Sequence, residues 1–192
     1  MGGTCVPKVS NHKHLGVHFN NRLTWDTHIE AIYSSCARQI GILRRLRNKV
    51  SHSTMRRIYV GAIRPKLEYA CPVWSGSNVK KLEQLQASFA RRHQLALPSL
   101  QSRFAYHSLV LFFKIRLKVA PNYLNTLLPS LSSSSGYSFR KLSYPVPIVA
   151  KSMTLQSFFP RSIILWNTLP SAIQHSHTIS EFKRRLQQHM HI

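Results

Sequence analysis

Hydrophobic and polar positions change their period several times along this chain. Within HLGVHFNNRLTW (14–25), Val17 and Phe19 alternate with His18, and Leu23 and Trp25 alternate with Thr24. A period of two predicts two short strands, turning at Asn20-Asn21 because asparagine tolerates the positive φ of a tight turn. From Thr27 the period lengthens: Ile29, Ile32, Tyr33, Cys36, Ile40 and Leu43 form one apolar stripe of a helix. Thr27-x-x-Glu30 has the spacing of a capping box that would open it. Arg38, Arg44, Arg45, Arg47 and Lys49 take the opposite face and the last turns, where cations suit the helix dipole.

A second helix is predicted after Ser51 or Ser53, with Met55, Ile58, Tyr59, Ala62 and Ile63 inward and Pro65 ending or kinking it. A third begins near Asn78, with Val79, Leu82, Leu85 and Phe89 inward. A fourth runs from about Ser99 to Val119 and carries Phe104, Tyr106, Phe112 and Phe113. Ala120-Pro121 stops it, and Tyr123, Leu124, Leu127 and Leu128 add a short turn. Ser132 to Ser135, Gly136, Pro145 and Pro147 then mark a linker or extended arm. A short helix or turn around Ile163 to Trp166 follows. Thr178-x-x-Glu181, a second capping box, leads a terminal helix with Phe182 and Leu186 inward and Lys183, Arg184 and Arg185 outward. The expectation is a mainly α fold: a short N-terminal β-hairpin (1–25), a helical bundle (26–129), a Ser/Pro-rich linker (130–154) and a C-terminal helical tail (155–192).

Charge changes this picture more than any motif does. The 192 residues hold 27 Lys and Arg against 5 Asp and Glu, a formal charge of +22. No acid lies between Ala31 and Leu67, or from Gln84 to Ser180, so the cations there have no neutralising partner in their own stretch. A compact particle so charged repels itself and favours a partner carrying phosphate. At 43% apolar and 10% aromatic the chain can still build a core. No run reaches the ~18 apolar residues of a membrane-spanning helix. MGGTCVPKVS has no signal-peptide core, and Val6 stands where a myristoylation motif needs Ser or Thr. The expected partner is nucleic acid rather than membrane, and the expected compartment intracellular, nuclear or cytoplasmic.

The candidate binding residues are Arg44, Arg45 and Arg47, then Arg56 and Arg57, then Lys80, Lys81, Arg91 and Arg92. Each alone also suits a merely solvated helix face. Trp25, Trp74 and Trp166 are of the type that stacks on bases, but their apolar neighbourhoods favour the core. Cys5, Cys36 and Cys71 contain no C-x-x-C pair and read as buried thiols. His12, His14 and His18 alternate, as a metal-binding strand face would, yet no carboxylate or thiolate stands near to complete a site, so no metal or other cofactor is expected. A Ser-His-acid triad lacks both a G-x-S-x-G elbow and acids to orient a base.

Several blocks together carry a resemblance. HLGVHFNNRLTWDTHI (14–29), GILRRLR (41–47), IRPKLEYACPVW (63–74) and KLEQLQASFAR (81–91) resemble segments that follow the catalytic palm in non-LTR (LINE-type, jockey-like) retrotransposon reverse transcriptases. LVLFFKIRLKVAPNYLNTLLP (109–129), SFFPRSIILWNTLPSAI (157–173) and ISEFKRRL (179–186) continue it, so almost the whole chain is covered. Asn20 departs from the aspartate usual there. The resemblance implies a C-terminal piece of such an enzyme, with a primer-grip-like hairpin (Leu15, Gly16, Val17), a thumb-like helical domain that clasps template and primer, and a tail. Gly16 would either let backbone approach a primer strand or relieve a strand bulge.

Two-metal polymerisation needs clustered carboxylates. Asp26 is the only aspartate, so the Asp-Asp pair of the family is absent and the chain is not expected to be an enzyme by itself. The function implied is sequence-nonspecific binding of template–primer nucleic acid. The alternatives are a non-functional relic of a decayed mobile element, or a non-catalytic subunit that needs a palm and fingers chain in trans.

Overall fold

The computed structural model describes residues 9–46, 49–131, 142–146 and 152–192. Its elements begin with β1 (Asn11–His14), β2 (Val17–Asn20), α1 (Asp26–Arg44), α2 (His52–Ile58), a π-helical turn (Tyr59–Ile63) and α3 (Arg64–Glu68). They continue with α4 (Cys71–Trp74), α5 (Lys80–Arg92), α6 (Leu100–Arg116) and α7 (Asn122–Asn125). The last four are α8 (Ser152–Leu155), α9 (Phe158–Thr168), α10 (Ser171–Gln174) and α11 (Ile179–Met190). The fold is mainly helical behind a two-stranded antiparallel hairpin, as predicted. It divides into two units, one from residues 1–70 and 79–95 and one from residues 71–78 and 96–192. The helical segment expected over 26–129 is shared between them.

In the first unit the hairpin turns at Leu15-Gly16, because His14 pairs with Val17 and Asn11 with Asn20. The predicted turn at Asn20-Asn21 is therefore corrected. Both turn residues have positive φ, 45° and 84°, the conformation whose twist matches a two-residue hairpin. Asn20 does something else. Its Oδ1 accepts from the N–H groups of Arg22 (3.2 Å) and Thr24 (3.1 Å), and its Nδ2 donates to Thr24 Oγ1 (2.8 Å). An asparagine that closes the chain on itself in this way ends the strand. Leu23 and Trp25, at φ 53° and 64°, accordingly form no second strand.

Helix α1 starts directly after Trp25, and no side chain caps it. The Thr27–Glu30 box does not form, since Glu30 is turned to Lys81 instead. Its buried stripe is the predicted one at Ile29, Ile32, Cys36, Ile40 and Leu43, with His28 added and Tyr33 half-buried. The Ser51 hydroxyl caps α2, accepting from the Thr54 N–H at 3.2 Å. Pro65 does not end this helix. Proline has no N–H to donate, and its ring crowds the carbonyl four residues back. The π turn, closed by the Arg64 N–H on the Tyr59 carbonyl, widens the ladder just before it. Met55, Tyr59, Ile63 and Leu67 can then share one buried face at every fourth residue. On an unbroken α-helix of 3.6 residues per turn that spacing would slip by about 40° per step. The same widening leaves Ala62, predicted inward, exposed. Leu82, Leu85, Gln86 and Phe89 of α5 complete this core, with the Tyr59 ring stacked on Phe89 at 5.3 Å and its hydroxyl donating to Gln86 Oε1.

In the second unit α6 is the axis, packed by α4, α7, α9 and α11. Ser99 caps it through the Ser102 N–H (3.0 Å). It ends at a left-handed Lys118 (φ 57°), before Pro121 is reached. Phe113 stacks on Phe182 at 4.1 Å and nearly parallel, with Trp166 beside both. Trp74 and Trp166 are wholly buried core residues. The Thr178–Glu181 box forms: Thr178 Oγ1 accepts from the Glu181 N–H, and Glu181 Oε2 from the His177 N–H. Residues 142–146, inside the predicted linker, lie docked. Asn167 accepts from the Tyr144 N–H (3.0 Å) and donates to the Tyr144 carbonyl (2.8 Å). Trp166 Nε1 donates to the Leu142 carbonyl (2.7 Å), and Gln174 Oε1 accepts from the Leu142 N–H (3.0 Å).

Candidate nucleic-acid interface

The buried stripes of the first unit dictate where its cations go. With Leu43 inward, Arg44 and Arg45 emerge at the C-terminal end of α1. With Met55 and Tyr59 inward, Arg56 and Arg57 face solvent on α2. With Leu82, Leu85 and Phe89 inward, Lys80 and Lys81 stand at the start of α5 and Arg91 and Arg92 at its end. All eight are exposed. Arg47 lies outside the described residues. Two of these pairs, Arg44 with Arg45 and Arg91 with Arg92, also close a helix at its negative pole, where a cation stabilises by a few tenths of a kcal/mol.

They are not equivalent. Lys81 is committed to the fold: its Nζ pairs with Glu30 Oε2 at 2.5 Å and sits 4.1 Å over the Tyr33 ring. The Glu30 carboxyl is held below the usual carboxylate range, chiefly by the Lys81 hydrogen bond. Further ion pairs join Arg64 to Glu68 (3.8 Å) and Arg185 to Glu181 (2.7 Å). Among the described residues, Arg44, Arg45, Arg56, Arg57, Arg91 and Arg92 pair with no carboxylate. Five acids cannot neutralise 27 cations, whatever their geometry.

Spacing sorts the set further. A rise of 1.5 Å per residue puts Lys80 and Arg91 roughly 16 Å apart along α5, beyond the screening length of about 10 Å at 0.1 M salt. The two ends of α5 therefore act as separate patches. The Arg92 end is joined to α2 by a recess lined by Arg92, His93, Gln94, Ser51, His52 and Met55.

The primer-grip-like residues part company. Leu15 is 76% exposed at the hairpin tip, while Val17 is buried in the core. Gly16 relieves no bulge; it is the second turn residue. The space beside its Cα is taken by the Tyr69 ring, 3.3 Å from where a Cβ would stand. Tyr69 also donates its hydroxyl to the Leu15 carbonyl at 2.7 Å. Phe19 is half-buried, edge-on to Trp25 at 5.2 Å. Of Leu15, Val17 and Phe19, only Leu15 is open to solvent.

Sequence reasoning missed His28 and Tyr69. His28 is buried on α1, its Nδ1 accepting from the His18 N–H at 3.4 Å. Burial, with the nearby His18 second, lowers its pKa to about 4. The only sequence signal for His28 is its place one residue before Ile29 on the buried stripe. Cys36 is a buried thiol whose pKa is raised to about 11 by burial, and Cys71 is likewise buried. Among the described residues no three His, Cys, Asp or Glu side chains converge as metal ligands. No helix among them is long and apolar enough to cross a membrane. No protein-family model, curated protein or solved structure matches the chain.

Proposed function

We propose that this chain binds nucleic acid without sequence preference, through the basic faces of its first unit. The observation that carries the reading is the set of exposed arginines at 44, 45, 56, 57, 91 and 92, which no carboxylate of the described residues neutralises. Arginine on helix faces contacts phosphate oxygens, and such contacts position a protein along a strand without reading bases. The resemblance to a reverse-transcriptase thumb supports the same reading.

By itself the chain does not polymerise, because a sole aspartate supplies no paired carboxylates for two metal ions. Binding to unrelated duplexes and to an RNA–DNA hybrid, measured at low salt by fluorescence anisotropy, is expected to give affinities within a few-fold of one another. Absence of binding in dilute buffer overturns the reading. A magnesium-dependent primer extension above background overturns the non-catalytic part of it.

A further inference from the structure

The first unit contains a second basic feature that the helix faces do not explain. Where the hairpin lies against α1 and the end of α3 there is a cavity of about 290 Å³, lined by Lys13, His18, His28, Ser35, Lys66 and Tyr69. Four elements, β1, β2, α1 and the end of α3, bring these groups together, and no acid is among the lining residues. Two ammonium groups therefore line one concavity without a carboxylate among its lining residues, an arrangement that favours an entering anion. His28 accepts at Nδ1, so its neutral ring carries the proton on Nε2 and is a donor.

The other wall is apolar, made by Ala31, Ile32 and the Tyr69 ring. Tyr69 is 53% exposed, yet its ring is fixed between the Leu15 carbonyl and Gly16. A half-exposed aromatic held in one orientation is a stacking platform that loses little freedom when a base lands on it.

We propose that this cavity receives one unpaired nucleotide, its phosphate beside Lys13 and Lys66 and its base against Tyr69. The inference rests on the nucleic-acid reading above and names what that reading leaves open, a preference for strands with an unpaired nucleotide. The phosphate belongs either to a free mononucleotide or to a residue of a longer strand, and the experiment separates these sources.

The full chain is titrated with inorganic phosphate, adenosine 5′-monophosphate, a blunt duplex and the same duplex carrying a single-stranded overhang. Amide signals of β2, α1 and Tyr69 are followed by NMR. The cavity signals are expected to move with the mononucleotide and the overhang, and less with phosphate alone. The overhang is expected to bind about tenfold more tightly than the blunt duplex, the contribution of roughly one stacked base. Tyr69→Ala is expected to abolish that difference. Because Tyr69 also braces the hairpin, Lys13→Gln with Lys66→Gln provides a second variant at exposed positions, expected to reduce overhang preference severalfold while blunt-duplex binding falls only slightly. Cavity signals that respond to neither nucleotide nor overhang, with blunt duplex still bound, overturn this inference and leave the basic-face reading intact. Loss of blunt-duplex binding with the mononucleotide still bound does the reverse.

Discussion

Lowering the pH through the range between the unfolded and folded pKa values of His28 is expected to loosen the first unit. In the unfolded chain the imidazole titrates near 6.5; in the folded protein, burial and His18 hold it down to about 4. Above pH 6.5 the ring is neutral in both states and makes no difference. As pH falls through 6.5 toward 4, the unfolded chain takes up a proton that the folded one refuses, so stability declines, and the loss is complete below about 4. At 1.36 kcal/mol per pKa step the full loss is about 3 kcal/mol, reduced to roughly 2 by solvent screening. The titratable groups around His28 are His18 on β2, Lys13 on β1, Lys66 on α3 and Tyr69 just beyond it, and of these His18 adds to the effect of burial in opposing protonation. Glu30 and Glu181, held below the ordinary carboxylate range, contribute stability that is lost only as pH falls below about 4.5. The assay is hydrogen exchange of α1 amides between pH 7.5 and 4.5, set against His28→Asn, whose Oδ1 still accepts from the His18 N–H. The wild type should lose protection steeply with falling pH and the variant much less. Equal slopes refute the argument.

Three further outcomes follow from the packing. Gly76→Ala should destabilise the second unit by about 1–3 kcal/mol, because its Cβ would overlap the Gln156 carbonyl oxygen and the Arg161 guanidinium; a thermal melt unchanged from wild type contradicts this. Asn167→Ala removes both hydrogen bonds to Tyr144 and should cost about 1–3 kcal/mol, with cleavage near Leu142–Val146 becoming faster in limited proteolysis. Lys118→Gly should stabilise by about 0.5–1 kcal/mol, since a left-handed residue closes α6 there and glycine adopts that conformation without strain. A lowered urea midpoint would count against it.

Much of the fold was legible because it depends on local chemistry. The stripe of α1, the hydroxyl caps at Ser51, Ser99 and Thr178, and the outward cations of α5 all follow from spacing of 3 and 4 residues. The errors arose where a side chain found a distant or unexpected partner. Glu30 has the position of a capping-box glutamate but reaches Lys81, 51 residues away. Asn20-Asn21 is a better turn signal than Leu15-Gly16, yet the Asn20 side chain is used to end β2. Pro65 is a reliable breaker only of a regular α-helix, and the π turn before it accommodates the ring.

The candidate site divides in the same way. Exposed arginines are visible in the sequence as the complement of buried stripes. The cavity was not, since Tyr69 meets Leu15 across 54 residues and the burial of His28 depends on the hairpin folding back over α1. Tyr69 in particular reads in sequence as one more aromatic of an apolar stretch.

The slope of binding against salt tests the central claim most directly. If about six of the exposed arginines meet phosphates, log K should fall against log salt with a slope of about −5 on duplex DNA. Arg91→Gln with Arg92→Gln should reduce that slope by about 2, and Arg56→Gln with Arg57→Gln by the same amount, for every duplex sequence tried. A slope near zero, or one that none of these substitutions changes, would contradict the account.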